Sequence, residues 1–168
     1  ASDVKREIDI STPTLPGRGI HAAYLETDQR VYETRCPACG EWNCLDFFET
    51  VRVSGEPFEV WKIWSPIEIR RRPVTVHCPS CKEEMTREVL CTPGRWKALK
   101  PDVLEKRGYA IPWWPFPFVD IQAFAANAVS DTETKRTEFF RSDLGQPYTA
   151  EGSQITAAML AQLSAPLS

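Results

Sequence analysis

The sequence predicts an α+β protein: a small β-rich module in mid-chain, helices towards the C-terminal end and a short strand at the start. Two matching pairs, Cys36-Pro37-Ala38-Cys39 and Cys78-Pro79-Ser80-Cys81, stand 38 residues apart and mark the module. Around them, from Val31 to about Trp96, short β-type runs are divided by Gly, Pro and charged residues. From Phe118 onward the apolar residues recur at helical spacing instead.

Composition is compatible with this. The chain has 168 residues, a formal charge of −3, 42% hydrophobic and 26% charged residues, as expected of a soluble globular domain with flanking segments. No apolar run approaches the roughly 18 to 20 residues of a membrane helix. The opening Ala1-Ser2-Asp3-Val4-Lys5 carries neither a Met nor an apolar signal core, so nothing in it suggests secretion and it reads as a cut edge.

Spacing decides what the cysteines are for. A C-P-x-C turn directs two sulfurs to one side of a tight loop. Two such loops facing each other supply the four thiolates of a tetrahedral zinc site, at Zn–S distances of about 2.3 Å. Cys36, Cys39, Cys78 and Cys81 are therefore the expected metal ligands. Four thiolates leave no open position for water, which makes the zinc structural rather than catalytic; iron accepts the same donors. A thioredoxin-type redox site would need its C-x-x-C to open a helix in a βαβ unit, and both pairs here precede polar, strand-like stretches. Disulfides are disfavoured without a secretory signal. His77 stands beside Cys78 and could replace a sulfur, but reads better as a packing or surface residue. Cys44 and Cys91 are expected to be small buried apolar residues. Gly40 follows the first pair where a positive φ is needed; Lys82 holds the same place after the second, so that turn is either strained or shaped differently.

Each element follows in order. Residues 4–10 read as a short strand running into Ser11-Thr12-Pro13. Residues 14–19, with Pro16 and two glycines, form a turn, and residues 20–25 a short helix. The β runs are 30–35, 42–48, 58–64, 74–77 and 86–90. Ile111-Pro112-Trp113-Trp114-Pro115-Phe116-Pro117-Phe118 is too rich in proline for helix or central strand. It is expected to lie across the module as a packed strap, or else to dock a partner or unpaired bases. Phe118, Ile121, Phe124, Ala125 and Ala128 mark one face of a helix. Ser130 and Glu133 form a capping-box pattern for a second helix running to about Arg141 and ending near Gly145, and residues 155–163 suggest a third.

Charge is uneven. Residues 61–107 hold eleven Lys/Arg against six Asp/Glu, and the rest of the chain nine against seventeen. Arg70-Arg71-Arg72 is the densest point, either a phosphate contact or a solvated turn. The chain lacks a P-loop, a G-x-S-x-G and an H-E-x-x-H, so no self-sufficient enzyme is expected.

The order of motifs resembles the large subunit of tailed-phage terminases, of the lambda-like GpA kind. Ile8-Asp9-Ile10-Ser11-Thr12-Pro13-Thr14 looks like the strand and S-T-P motif that end the ATPase core and couple nucleotide state to motion. Gly19-Ile20-His21-Ala22-Ala23-Tyr24, Thr27-Asp28-Gln29-Arg30-Val31-Tyr32 and Cys36-Pro37-Ala38-Cys39-Gly40 resemble the run into the family's first zinc knuckle. Cys78 to Cys81 would be the second knuckle and Gly94-Arg95-Trp96 the G-x-W after it. Phe139-Phe140 and Leu144-Gly145-Gln146-Pro147-Tyr148 look like the approach to the nuclease domain.

The resemblance implies a connector: residues 1–30 ending the ATPase-like segment, 31–110 a zinc-ribbon module, 111–118 the strap, and 119–168 a helical segment leading to the nuclease. It implies structural zinc in this piece, with ATP and Mg in the parent. It further implies double-stranded DNA, a terminase small subunit and a portal as partners, in the cytoplasm of an infected bacterial host. Ser11, Thr12 and Pro13 would be the coupling motif, and Arg70, Arg71 and Arg72 a DNA contact. The parent would be an ATPase and endonuclease that packages DNA. The other reading of the residues is a stand-alone zinc-ribbon adaptor for protein or nucleic acid.

Overall fold

Strand β1 (Arg30–Arg35) is the spine of the larger sheet in a computed structural model that describes residues 7–150. It pairs antiparallel with β2 (Trp42–Asn43) and with β5 (Arg95–Ala98), and parallel with the short β6 (Tyr109–Ala110). The β1–β5 register sets Tyr32 opposite Trp96, and the two rings meet edge to face at 5.2 Å. Gly94 is required just before β5. Its N–H donates to the Tyr32 hydroxyl, and a Cβ there would collide with the Glu33 carbonyl and the Tyr32 ring.

A second sheet is the hairpin of β3 (Val51–Val53) and β4 (Val74–Val76), with Val51 opposite Val76. The helices around these sheets are short, and side chains cap several of them. The first, α1 (Ile20–Leu25), precedes β1. In α2 (Phe47–Thr50) the Asp46 carboxylate accepts from the Glu49 amide. Between β3 and β4 lie α3 (Phe58–Trp61) and α4 (Pro66–Arg70), the latter opened by a full capping box between Ser65 and Glu68. Next comes α5 (Arg87–Leu90). Asp120 caps α6 (Ile121–Ala128), which packs on α4. Finally α7 (Glu133–Glu138) runs into a π-helical turn, Phe139–Asp143, which ends before Gly145 at φ +65°. No helix among the described residues is long and apolar enough to cross a membrane.

One apolar core joins these parts. Phe47 is 1% exposed and touches the rings of Phe48, Trp61, Trp114, Phe124 and Phe139 at 5.3–6.3 Å. Trp114 brings the strap into this cluster, Phe124 and Phe139 bring the C-terminal helices, and Cys36 and Cys78 bring the two Cys turns.

The mixed α+β class, the first helix, β1 and β4 stand as expected. Three of the β runs do not. In 42–48 only Trp42 and Asn43 pair, because Asp46 caps a helix that takes over at Phe47. Residues 58–61 are helical, burying Trp61 three positions after Phe58, and residues 87–90 are helical with Leu90 buried three after Arg87. β3, β5, β6 and α4 were not foreseen.

Residues 7–10, the described part of the expected first strand, pair with no strand among the described residues, and Ile8 and Ile10 are 82% and 91% exposed. The helix expected to open at Ser130 starts later, with Thr132 at the N-cap position making no side-chain cap bond and Glu133 as the first residue, so the capping box does not form. Cys44 and Cys91 are exposed, not buried. The expected helix at 155–163 lies outside the described residues.

Replacing Phe47 with Ala removes the ring that touches five others. The loss should be about 3–5 kcal/mol, read as a lower urea midpoint with the m-value kept; a loss under about 1 kcal/mol would contradict a core centred there.

Candidate metal centre

Each Cys pair sits in a turn of the same design. After β1, the Cys36 amide donates to the Glu41 carbonyl (2.9 Å) and the Gly40 amide to the Cys36 carbonyl (2.8 Å). After β4, the Cys78 amide donates to the Glu83 carbonyl (2.9 Å) and the Lys82 amide to the Cys78 carbonyl (2.9 Å). The equivalence extends to the backbone angle, φ +79° at Gly40 and +67° at Lys82. Lys82 therefore holds the strained alternative, at a cost of about 1–2 kcal/mol. Its ammonium donates to the Pro79 carbonyl at 2.6 Å, which holds it over its own turn.

The four sulfurs meet. Each lies within 4.8 Å of all the others, with Cys36–Cys81 at 3.7 Å and Cys39–Cys78 at 3.8 Å. Bonds of about 2.3 Å from a central ion to four tetrahedral sulfurs put neighbouring sulfurs about 3.8 Å apart. The donor set and its spacing thus fit a tetrathiolate metal. Cys36 and Cys78 are buried, Cys81 is half-buried and Cys39 is exposed, so the cluster lies at the edge of the core.

Electrostatics also asks for a cation. Burial pushes the Cys78 thiol up, but the amides of Cys81 and Ser80 and the neighbouring thiols outweigh it and bring it down to about 7. At Cys81 the Glu83 amide favours the thiolate, while burial and the three other cysteines win and push it up to about 12. One sulfur ionises at the expense of the others; a divalent ion would let all four do so.

Outside the sulfurs, Asn43 joins the two turns. Its Nδ2 donates to the Glu41 carbonyl (3.1 Å) and approaches the Cys78 sulfur at 3.6 Å, and its Oδ1 accepts from the Ser80 hydroxyl at 2.6 Å. His77 is not in the cluster. Its Nδ1 bonds the Lys82 carbonyl (2.8 Å) and its Nε2 the Thr75 hydroxyl (3.0 Å), so it braces the second turn. Cys44 and Cys91 stand apart from the cluster as well.

The other residues singled out by sequence do not join the metal centre. Arg70 ends α4, Arg71 and Arg72 follow it, and the Arg72 guanidinium lies 4.2 Å from the Trp64 ring centroid. Arg70 and Arg71 form no ion pair among the described residues. Ser11, Thr12 and Pro13 lie in an irregular stretch, where the Ser11 hydroxyl reaches only the neighbouring Thr12 carbonyl. Sequence reasoning missed Asn43, and also Arg87, whose guanidinium donates to the Pro117 (2.5 Å) and Val119 (2.7 Å) carbonyls and fastens the strap. Neither had a local signal, since the partners of Asn43 on the other turn lie 35 or more residues away and those of Arg87 30 or more.

Two knuckles closing on one four-sulfur cluster, in a mixed fold with small antiparallel sheets, define a zinc-ribbon-like module. A family model described as the phage terminase large subunit gpA, ATPase domain, matches residues 3–96, more than half of the chain and including both Cys pairs. The chain belongs to that terminase large subunit family. No curated protein and no solved structure matches it.

Asn43→Ala would remove the bridge between the turns while leaving all four sulfurs. Metal affinity, measured by competition with a chromogenic chelator, should fall about 10- to 100-fold at unchanged stoichiometry; an unchanged affinity would show that the bridge does not organise the sulfurs.

Proposed function

We propose that this stretch is the connector of a viral DNA-packaging motor, linking the ATPase of a terminase large subunit to its nuclease. In this reading residues 1–30 end the ATPase-like segment, 31–110 form the zinc module, 111–118 the strap and 119–168 the approach to the nuclease. The observation that carries it is the four-sulfur cluster inside the stretch that matches the terminase family. Cys36, Cys39, Cys78 and Cys81 would hold zinc, closed to water and therefore structural. Hydrolysis of ATP with Mg, and endonucleolytic cutting, would belong to the parent, working on double-stranded DNA with a small subunit and a portal in the host cytoplasm.

Two further assignments follow from the same reading. Ser11, Thr12 and Pro13 would relay nucleotide state. The exposed Ile8 and Ile10 just before them are spaced as one face of a strand seeking a sheet. Arg70, Arg71 and Arg72 would touch DNA phosphates, and the exposure of Arg70 and Arg71 at the end of α4 supports this.

Elemental analysis should find one zinc per chain. Structural zinc contributes on the order of 10–16 kcal/mol in small peptides, comparable with the stability of a whole domain. Excess chelator, or Cys36→Ser, should therefore abolish the cooperative melting transition; a melting temperature indifferent to chelator with no metal bound would remove the assignment.

Replacing Arg70, Arg71 and Arg72 together with Ala should weaken duplex binding. The slope of log affinity against log salt should flatten by about 2–3, at about 0.9 for each phosphate that is no longer neutralised. An unchanged slope would exclude the contact.

A further inference from the structure

The strap ends in a ring that the fold leaves outside. Phe118 is 76% exposed, yet it lies parallel to Phe116, with 6° between the planes and 5.7 Å between centroids. Phe116 leans on Tyr32 at 6.3 Å, and Tyr32 on Trp96 at 5.2 Å, so the stack is anchored on β1 and β5. One face of Phe118 rests on Phe116 and the opposite face has no ring against it among the described residues.

A single exposed Phe is ordinary; its surroundings are not. Phe118 lines an open groove together with Pro73, Arg87, Val119 and Gln122. The Gln122 side chain donates to the Arg72 carbonyl at 3.2 Å, so the backbone at the end of the Arg70–72 run lies beside Gln122, and Pro73, the next residue, lines the groove. Arg87 donates to the Pro117 and Val119 carbonyls, and neither it nor Arg70 or Arg71 forms an ion pair with a carboxylate among the described residues. The groove's acidic residue, Asp120, accepts from the Gln122 and Ala123 amides at the start of α6, so its charge is engaged there.

A flat apolar face beside uncompensated guanidinium groups suits a polymer that alternates flat rings with anions. In duplex DNA the bases cover one another and offer no face to a protein ring. Unpaired bases do, and stacking on aromatic side chains tolerates any base. We propose that this groove binds single-stranded nucleic acid, with a base on the open face of Phe118 and phosphates against Arg87 and the Arg70–72 run. The phosphate half rests on the reading of Arg70–72 as a DNA contact; the stacking half stands on Phe118 alone.

The test compares a labelled oligothymidylate of about 12 nucleotides with a duplex of equal length, by fluorescence anisotropy on the full 168-residue chain. Phe118→Ala should weaken single-strand binding about 5- to 100-fold and leave duplex affinity and the melting temperature unchanged. Phe118→Trp should keep the affinity and add an indole signal quenched by the oligonucleotide. Absence of single-strand binding overturns the proposal, and so does an affinity that Phe118→Ala leaves unchanged. If Ala at Arg70, Arg71 and Arg72 leaves the duplex salt slope intact while Phe118→Ala still weakens the single strand, the duplex contact fails and the stacking site stands. If the duplex slope flattens but Phe118 is neutral, the reverse holds.

Discussion

Four cysteine sulfurs within 4.8 Å of one another cannot all carry charge without a cation between them, and much of this fold is arranged around that constraint. The first turn leaves β1 and returns as β2; the second leaves β4 and returns through the bridge between His77 and Glu84. The two sheets share no strand. Closing the sulfurs around one ion is therefore what would join them at this edge, and it explains why each turn is fixed so fully by backbone hydrogen bonds. Other amides of the second turn, those of Ser80, Cys81 and Glu83, point at sulfur, so one short loop both holds its shape and stabilises thiolate.

Behind the cluster, the core continues the join by packing. Cys36 and Cys78 belong to the same buried set as Phe47, Trp61 and Trp114. The strap depends on this. Its prolines remove amide donors, so it can add little to a sheet ladder, and it is held instead by Trp114 in the core and by Arg87, which takes the carbonyls of Pro117 and of Val119 just beyond the strap. An arginine can do this because its planar fork offers several donors at once. Holding the strap from below leaves its far end, Phe118, free of structural duty.

How much of this was legible in the sequence depends on the range of the interaction. The meeting of the four sulfurs was legible because C-P-x-C encodes its turn within four residues, and the repeat implied that the two turns meet. The strap was legible from its prolines, and α6 from its period. The errors fall where a short apolar run serves either helix or strand. Phe58 and Trp61 are three apart, which sets them on one face of a helical turn and on opposite faces of a strand, and a run this short does not reveal which faces are buried. What decided these cases was a cap or a tertiary pocket: Asp46 before Phe47, or the rings waiting for Trp61. The misplacement of Cys44 and Cys91 has a similar origin, since cysteine is commonly buried but nothing local places these two inside. The relay through Asn43 could not be read at all, because its meaning lies in Ser80 and Cys78 on the other turn.

The same physics bears on what such a module can do between two larger units. A Gly/Ser linker lets its ends tumble independently, and this segment is built in the opposite way. The four-sulfur cluster and a shared aromatic core tie residues from Cys36 to Leu144 into one buried set. A closed tetrathiolate contributes no reaction of its own, because it has no position left for water or substrate. On the connector reading proposed above, its contribution would be to orientation: a pull on the segment before β1 would reach the helices after the strap through the shared core. The residues left exposed then acquire meaning by position. Ile8 and Ile10 lie at the entrance, the arginines after α4 and the ring of Phe118 on the flank, all outside the core that has to stay rigid. If the chain is such a connector, it could pass on movement while holding a ligand, since the core contacts and the exposed groups are separate sets.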